Sequence, residues 1–489
     1  MNRFSLIVCF LVVLVFARWV GADSRPNILF IFTDDQRADT IGALGNELIL
    51  TPNIDKLYEN GTHFTRAYCM GSMHGAVCVP SRAMLMSGKS IYHTNMQLDQ
   101  QTTFPELLGN AGYRTFGTGK WHNGKPSFQN SFQQGETILF GGMSNHAKVP
   151  INDMKQDGSL TKKRQAEGFS STIFADAAVD FLEQQDAETP FLCYVAFSAP
   201  HDPRMPPAPY DTTYRGERLP PLPDNFMPQH PFNTGAMVIR DEVLGAWPRT
   251  ETMIREQTAD YYGMITHMDE QIGRLLKTLD KQGLRDNTIV VFAADHGLAM
   301  GSHGLLGKQS LYEHSMKTPV CVAGPGIPAG QSLDEFIYLF DLFPTVCDYA
   351  GITVPEEVEG MSLRPLIEGK TEKTRPRVFT TYDKLVRAVR DDRWKLIRWP
   401  KINKTQLFDL ENDPLELNDL SNHEDQQERV LNMTMHLADL QKVYGDTQPL
   451  MDDKKLPLQI DLKGVKRNPD RWQPKWIIDK YFEDISNEN

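Results

Sequence analysis

An α/β fold on a mostly parallel sheet, followed by a smaller α+β unit, is what this sequence predicts. Three observations carry the expectation. Short apolar runs alternate with helical patterns along residues 27–370, as in strand–helix–strand units around one sheet. Three of those runs end directly in polar, chemistry-bearing residues, the position at which open α/β sheets place their sites. Beyond residue 370 the pattern changes to short alternating strands, which suits a small antiparallel sheet.

The elements follow in chain order. Met1-Asn2-Arg3 supplies a positive charge, residues 5–16 are almost wholly apolar, and Val20-Gly21-Ala22 offers small residues for cleavage after Ala22. The run is shorter than the roughly 20 apolar residues a membrane span needs, and no later segment is long and apolar enough. Residues 1–22 are therefore read as a signal peptide, and the mature chain as exported, periplasmic or secreted, without stable membrane insertion. Strands are expected at 27–32, 191–197, 288–294 and 319–322, all apolar enough to be buried on both faces. Helices are expected at 103–111, 174–184 and 251–282. Between Pro200 and Pro248 a proline-rich stretch reads as a long ordered excursion over the site. A boundary falls near Glu368-Gly369-Lys370, dividing a catalytic domain (23–370) from a small C-terminal domain (371–489) that completes the substrate cleft. The latter holds strands at 377–382, 386–390, 394–399 and 406–409, a helix at 425–441 and a polar tail.

The 489 residues carry a net charge of −12, so nothing in the bulk attracts nucleic acid, and an anionic ligand has to be held by locally clustered cations. Of six cysteines, Cys9 leaves with the leader, and an odd five remain in an exported chain. Cys193, Cys321 and Cys347 sit in apolar runs and read as buried free thiols; a disulfide is possible but not demanded at this size.

Asp34-Asp35 stands directly after the first strand, and Asp295-His296-Gly297 after a later one. Adjacent carboxylates at a buried strand end are costly without a cation, and hard oxygen donors suit Ca²⁺ or Mg²⁺. The two pairs fit one divalent site. Gly301-Ser302-His303-Gly304 and Leu306-Gly307-Lys308 follow, with glycines that allow tight backbone beside an anion and a lysine able to grip it. Lys120 and His122, in Gly117-Thr118-Gly119-Lys120-Trp121-His122, lie two apart and point the same way in extended chain. His201 follows another strand, between Pro200 and Pro203.

Cys78-Val79-Pro80-Ser81-Arg82, running on to Leu85-Met86-Ser87-Gly88, gives these pieces a common meaning. It resembles the signature of type I, formylglycine-dependent sulfatases of the alkaline-phosphatase-like superfamily. The Gly-Lys-Trp-His element, the Asp295 and Lys308 motifs and Phe408-Asp409-Leu410…Asp413-Pro414-Leu415-Glu416 extend the resemblance over residues 26–409. The resemblance implies a sulfuric ester hydrolase in which a maturation enzyme oxidises Cys78 to formylglycine (3-oxoalanine). It implies one metal ion, Ca²⁺ or alternatively Mg²⁺, bound by Asp34, Asp35, the modified Cys78, Asp295 and His296. A hydroxyl of the hydrated aldehyde then attacks sulfur in line, and the aldehyde re-forms to expel sulfate. Arg82, one helical turn beyond Cys78, fixes the diol; Lys120, His201 and Lys308 clamp sulfate oxygens; His201 or Lys308 protonates the leaving alcohol; His122 is the base that opens the ester. Many members carry Asn where His296 stands, and imidazole nitrogen suits Ca²⁺ less than oxygen does.

The substrate expected is a sulfated carbohydrate, since the excursion offers aromatic and cationic residues (Tyr210, Tyr214, Arg215, Arg218, Phe226, Arg240, Trp247, Arg249) for an extended polar ligand. Three alternatives stay open on sequence: a phosphodiesterase or phosphonate monoester hydrolase of the same superfamily, a small-molecule sulfatase of the choline type, and a non-catalytic binder of sulfated glycans.

Overall fold

The computed structural model describes residues 25–482; the leader expected at 1–22 lies outside the described residues. Eight strands form the main sheet: β1 (Asn27–Thr33), β2 (Gly61–Tyr68), β3 (Arg114–Lys120), β4 (Gln134–Leu139), β5 (Phe191–Ala196), β6 (Thr288–Ala294), β7 (Val320–Ala323) and β8 (Gln331–Tyr338). Their spatial order is β8-β2-β7-β6-β1-β5-β3-β4, and β7 alone runs against the rest. The fold is thus a mixed α/β architecture with a mostly parallel central sheet, as the apolar runs imply.

Alternation along β1 shows why both faces must be covered. Ile28, Phe30 and Phe32 enter one core, together with helices Cys78–Ser87, Phe104–Asn110 and Leu342–Tyr349. Leu29 and Ile31 enter the other, under helices Ser170–Glu183 and Glu251–Lys281. A strand with no solvated face has no polar alternation to show, so it reads as a continuous apolar run. The cysteines that remain, Cys69, Cys78, Cys193, Cys321 and Cys347, are all buried and unpaired.

Four main-sheet strands escape the sequence reading: β2, β3, β4 and β8. They are the outer two strands on either side of the sheet and carry polar residues, and bulges break the register between Leu333 and Phe336 and between Thr118 and Gly119. The second bulge matters for the site. Gly119, at φ +87°, lies so close to β5 that a Cβ there would stand 1.9 Å from the Ala196 carbonyl oxygen. Gly119→Ala is therefore expected to cost at least about 2 kcal/mol, from left-handed backbone plus overpacking. Thermal unfolding of the variant, with a lowered midpoint, checks this.

Beyond residue 370 come β9 (Val378–Tyr382), β10 (Val386–Arg390), β11 (Trp394–Trp399) and β12 (Lys404–Asp409), paired antiparallel in sequence order. Helix Gln427–Tyr444 covers them through Met433 and Leu437, which pack on Phe379, Val389, Leu396 and Leu407. A fifth strand, Gly71–Ser72, comes from the segment just before Cys78 and pairs parallel with β9. The tail does not stay with this sheet. It runs back over the large sheet's loops, where the Leu458 carbonyl accepts from Asn233 N–H at 2.8 Å and Ile477, Tyr481 and Phe482 pack with Leu244, Ile254 and Leu306.

Candidate functional site

The polar ends of β1, β5 and β6 converge where the sheet order places these strands side by side. Asp34 and Asp35 follow β1; the left-handed backbone of Asp35 (φ +63°) swings its carboxylate away from the strand's course. Tyr261 from the long helix holds that turn, donating its hydroxyl to the Asp35 carbonyl at 2.6 Å. Asp295 follows β6 and accepts the Asp35 N–H at 2.9 Å, so the two strand ends are tied together. Helix Cys78–Ser87 opens on this cluster with Cys78 in its first turn. Ser81, on that turn, donates to the Asp295 carbonyl at 2.7 Å.

The Cys78 Sγ lies 3.5 Å from Asp35 Oδ1, 3.2 Å from His296 Nε2 and 3.3 Å from Lys308 Nζ. It is only 2% exposed. Burial pushes its thiol well up in pKa, even though Lys120 and Lys308 pull the other way.

Arg82 Nη2 stands 3.4 Å from both Asp34 Oδ1 and Asp295 Oδ2, Nη1 donates to the Lys120 carbonyl at 2.8 Å, and the guanidinium covers the Phe32 ring. Lys120 Nζ reaches Asp34 Oδ2 at 2.5 Å, and Lys308 Nζ bridges both Asp35 oxygens at 2.8 Å. Three buried carboxylates therefore face three buried cations, an arrangement that holds charge out of water only because each is paired. Burial raises the pKa of Asp35, but His201, Lys308 and His296 outweigh it and hold the carboxyl below its usual range. Asp295 is likewise held low against burial by His296 and Arg82. Burial would lower Lys308, yet Asp35, Cys78 and Asp241 raise it well above an ordinary lysine.

The histidines take distinct places. His296 Nδ1 donates to the Gly297 carbonyl at 2.9 Å, which turns Nε2 toward Asp35, Cys78 and Asp295. His201 Nε2 is 3.7 Å from Asp35 Oδ2, and its Nδ1 faces the Asp202 carbonyl at 2.8 Å. His122 is buried near Lys120 and Arg82, and burial first, then those cations, lower its pKa well below the usual imidazole value, leaving it neutral. It gets there differently from the strand alternation expected: β3 ends at Lys120, and His122 turns in with φ +70°.

All ten residues singled out in the sequence come into this one buried cluster. Donor atoms of Asp35, Cys78, Asp295 and His296 lie within 4.8 Å of one another, a group that could hold a metal ion. Asp34 stands beside that set with Oδ1 buried and without a hydrogen-bond partner. A carboxylate oxygen whose one near cation is Arg82 at 3.4 Å, two further carboxylates and an imidazole nitrogen fit a divalent cation.

Residues that the sequence does not single out complete the surroundings. Asp202 lies beside His201, Asp241 Oδ2 is 3.7 Å from Lys308 Nζ, and Gln309 Nε2 donates to the same Asp241 oxygen at 2.7 Å. His146 Nε2 faces the His201 carbonyl at 2.9 Å. The excursion's expected ligand-facing residues are mostly committed inside the protein: Arg249 pairs with Glu242 at 2.6 Å, Arg215 pairs with Asp260, and Tyr214 is fully buried.

Comparison with known proteins agrees with this geometry. The chain matches the family model described as sulfatase over residues 26–352, and that of the C-terminal region of N-sulphoglucosamine sulphohydrolase over residues 301–443. An N-acetylglucosamine-6-O-sulfatase of Bacteroides thetaiotaomicron is 28% identical, the match covering 91% of this chain and 90% of that protein. An arylsulfatase of Clostridium perfringens is 30% identical, covering 83% and 92%. A solved structure in complex with its substrate D-glucosamine-2-N,6-O-disulfate superposes with a TM-score of 0.73 at 25% identity, covering 88% of this chain and all of that one.

Proposed function

From the premise that this chain belongs to the sulfatase family and is a sulfuric ester hydrolase, we propose that it cleaves the sulfate monoester of a carbohydrate with formylglycine, made from Cys78, as nucleophile. The observation that carries the reading is the placing of Cys78 in the first turn of a buried helix, in contact with Asp35, His296 and Lys308 at once. The carbohydrate is supported by relatives whose names give a 6-O-sulfated amino sugar and by the neighbour that holds a disulfated glucosamine.

Oxidised and hydrated, the side chain at position 78 supplies an oxygen nucleophile and a second hydroxyl through which sulfate is released again. A divalent cation, Ca²⁺ or Mg²⁺, held by Asp34, Asp35, Asp295, His296 and residue 78, would supply Lewis-acid polarisation. The chain's own groups do the remaining work. Lys120, His201 and Lys308 bind sulfate oxygens and meet the charge that develops as sulfur is transferred. Arg82 fixes the first turn of the helix by its bonds to Asp34, Asp295 and the Lys120 carbonyl. His201 or Lys308 gives a proton to the leaving alcohol. His122, kept neutral among cations, takes the proton whose loss frees sulfate.

The same reading takes residues 1–22 as a leader and the mature enzyme as periplasmic or secreted. It divides the chain into a catalytic domain (23–370) and a smaller domain (371–489), and names a formylglycine-generating enzyme as maturation partner. Among the described residues no helix is long and apolar enough to cross a membrane. Two measurements test the proposal together. The peptide containing position 78 should show the mass of an aldehyde or its hydrate instead of a thiol, and the matured enzyme should free sulfate from sulfated mono- or oligosaccharides. Turnover of phosphate diesters or choline sulfate with no release from any saccharide would overturn the substrate.

A further inference from the structure

A guanidinium outside the sulfate-binding cluster joins three acids that otherwise have nothing in common. Arg240, in the proline-rich excursion, donates from Nη1 to Asp202 Oδ1 at 2.6 Å and pairs with Asp202 Oδ2 through Nη2. The same Nη1 reaches Asp241 Oδ1 at 3.0 Å, while Nη2 and Nε meet Asp470 Oδ2 at 2.7 and 3.1 Å. Gln473 adds a bond to Asp202 Oδ2 at 2.9 Å. Asp202 and Asp241 each lead inward. Asp202 holds His201 through its carbonyl and, at 3.3 Å, through Oδ1; Asp241 faces Lys308 and is fixed by Gln309. Asp470 and Gln473 lie on the C-terminal tail, beyond helix Gln427–Tyr444, and meet the excursion through Arg240 and Asp202.

We infer that Asp470 and Gln473 are positioning residues of the active site, acting through Arg240 and Asp202 to fix His201 and, through Asp241, Lys308. The physical reason is orientation. A planar guanidinium with donors on three sides can hold several carboxylates at set angles, which a point charge cannot. Two of those carboxylates set where a proton donor and an ammonium stand relative to the reacting ester, and misplacement of such groups by about 1 Å costs up to about a hundredfold in rate. The tail therefore belongs to the catalytic apparatus although none of it touches the reacting atoms. The inference rests on His201 and Lys308 being sulfate-binding groups, as proposed above.

The test uses the matured full-length enzyme and a small aryl sulfate too short to reach the tail. Asp470→Asn is expected to lower kcat about tenfold, with KM changed less than about threefold and the melting temperature close to that of the parent. Arg240→Lys should lower kcat at least as far, while Asp470→Glu restores part of it. Asp479→Asn, which removes an exposed pair with Lys475 on the same tail, should leave kcat unchanged. Unchanged kcat in Asp470→Asn, or a loss matched by the unfolded fraction, overturns the inference. Failure of the proposed function looks different: the parent enzyme itself, carrying the aldehyde, would release no sulfate.

Discussion

Cys78→Ala should abolish sulfate release, by at least about 10⁴-fold in kcat, while leaving the protein folded. The size of the effect follows from removing the atom that attacks; where one group of a cooperating set is the nucleophile, its loss costs nearly all the acceleration. Stability should suffer little, because the side chain is small and the helix it opens is held by other residues, among them Ser81 and Arg82. Cys78→Ser is the more discriminating variant. It keeps one hydroxyl but has no second one with which to expel sulfate, so it should release at most one alcohol per active site and then stall. Stopped-flow or quench measurement of released alcohol and free sulfate checks both. A Cys78→Ala protein retaining more than about a tenth of parental turnover would rule out the mechanism.

Asp35→Asn is expected to remove bound metal and lower kcat/KM by about 10³-fold or more, with a loss of stability of about 3–5 kcal/mol. The amide keeps the shape of the carboxylate, so packing is preserved. What goes is the charge to which both Lys308 bonds and the His201 and His296 contacts are directed. A buried ammonium loses its main counter-charge, and the group that could hold a metal ion loses one of its oxygen donors. Elemental analysis of the purified variant, beside activity and thermal unfolding, tests each part separately. Metal content and turnover both equal to the parent's would reject the assignment of Asp35 as a ligand.

Local sequence reveals a strand best when it is buried on both faces. β1, β5 and β6 are legible because every position is buried and all but the terminal Asn27, Thr33 and Thr288 are apolar or aromatic. β8, with Asp334 and Glu335 at its bulge, and β2, with His63 and Arg66, mix solvent-facing and core-facing residues without a clean alternation. The same logic divides the site. Asp34, Asp35, Asp295 and His296 stand at strand ends, where the sequence marks an abrupt change from apolar to polar, and His201 follows a few residues past another such end. Asp202 and Gln473 meet across 271 residues of chain, and nothing near either announces the other. Arg240 shows the converse limit. Its charge is visible in sequence, yet its partners are not, so a residue suited to a ligand proves to be bound to three acids of the protein itself.

The strand Gly71–Ser72 has a mechanical meaning. Thr381 N–H bonds to the Met70 carbonyl at 2.9 Å and Asp383 N–H to that of Ser72 at 2.7 Å, and a Cβ on Gly71 would sit 1.9 Å from the Thr381 oxygen. A short stretch of the large unit is thereby sewn into the small sheet a few residues before Cys78. The segment leading into helix Cys78–Ser87 is thus tied to the small sheet as well as to the large one, and a displacement of either sheet would be felt at the start of that helix.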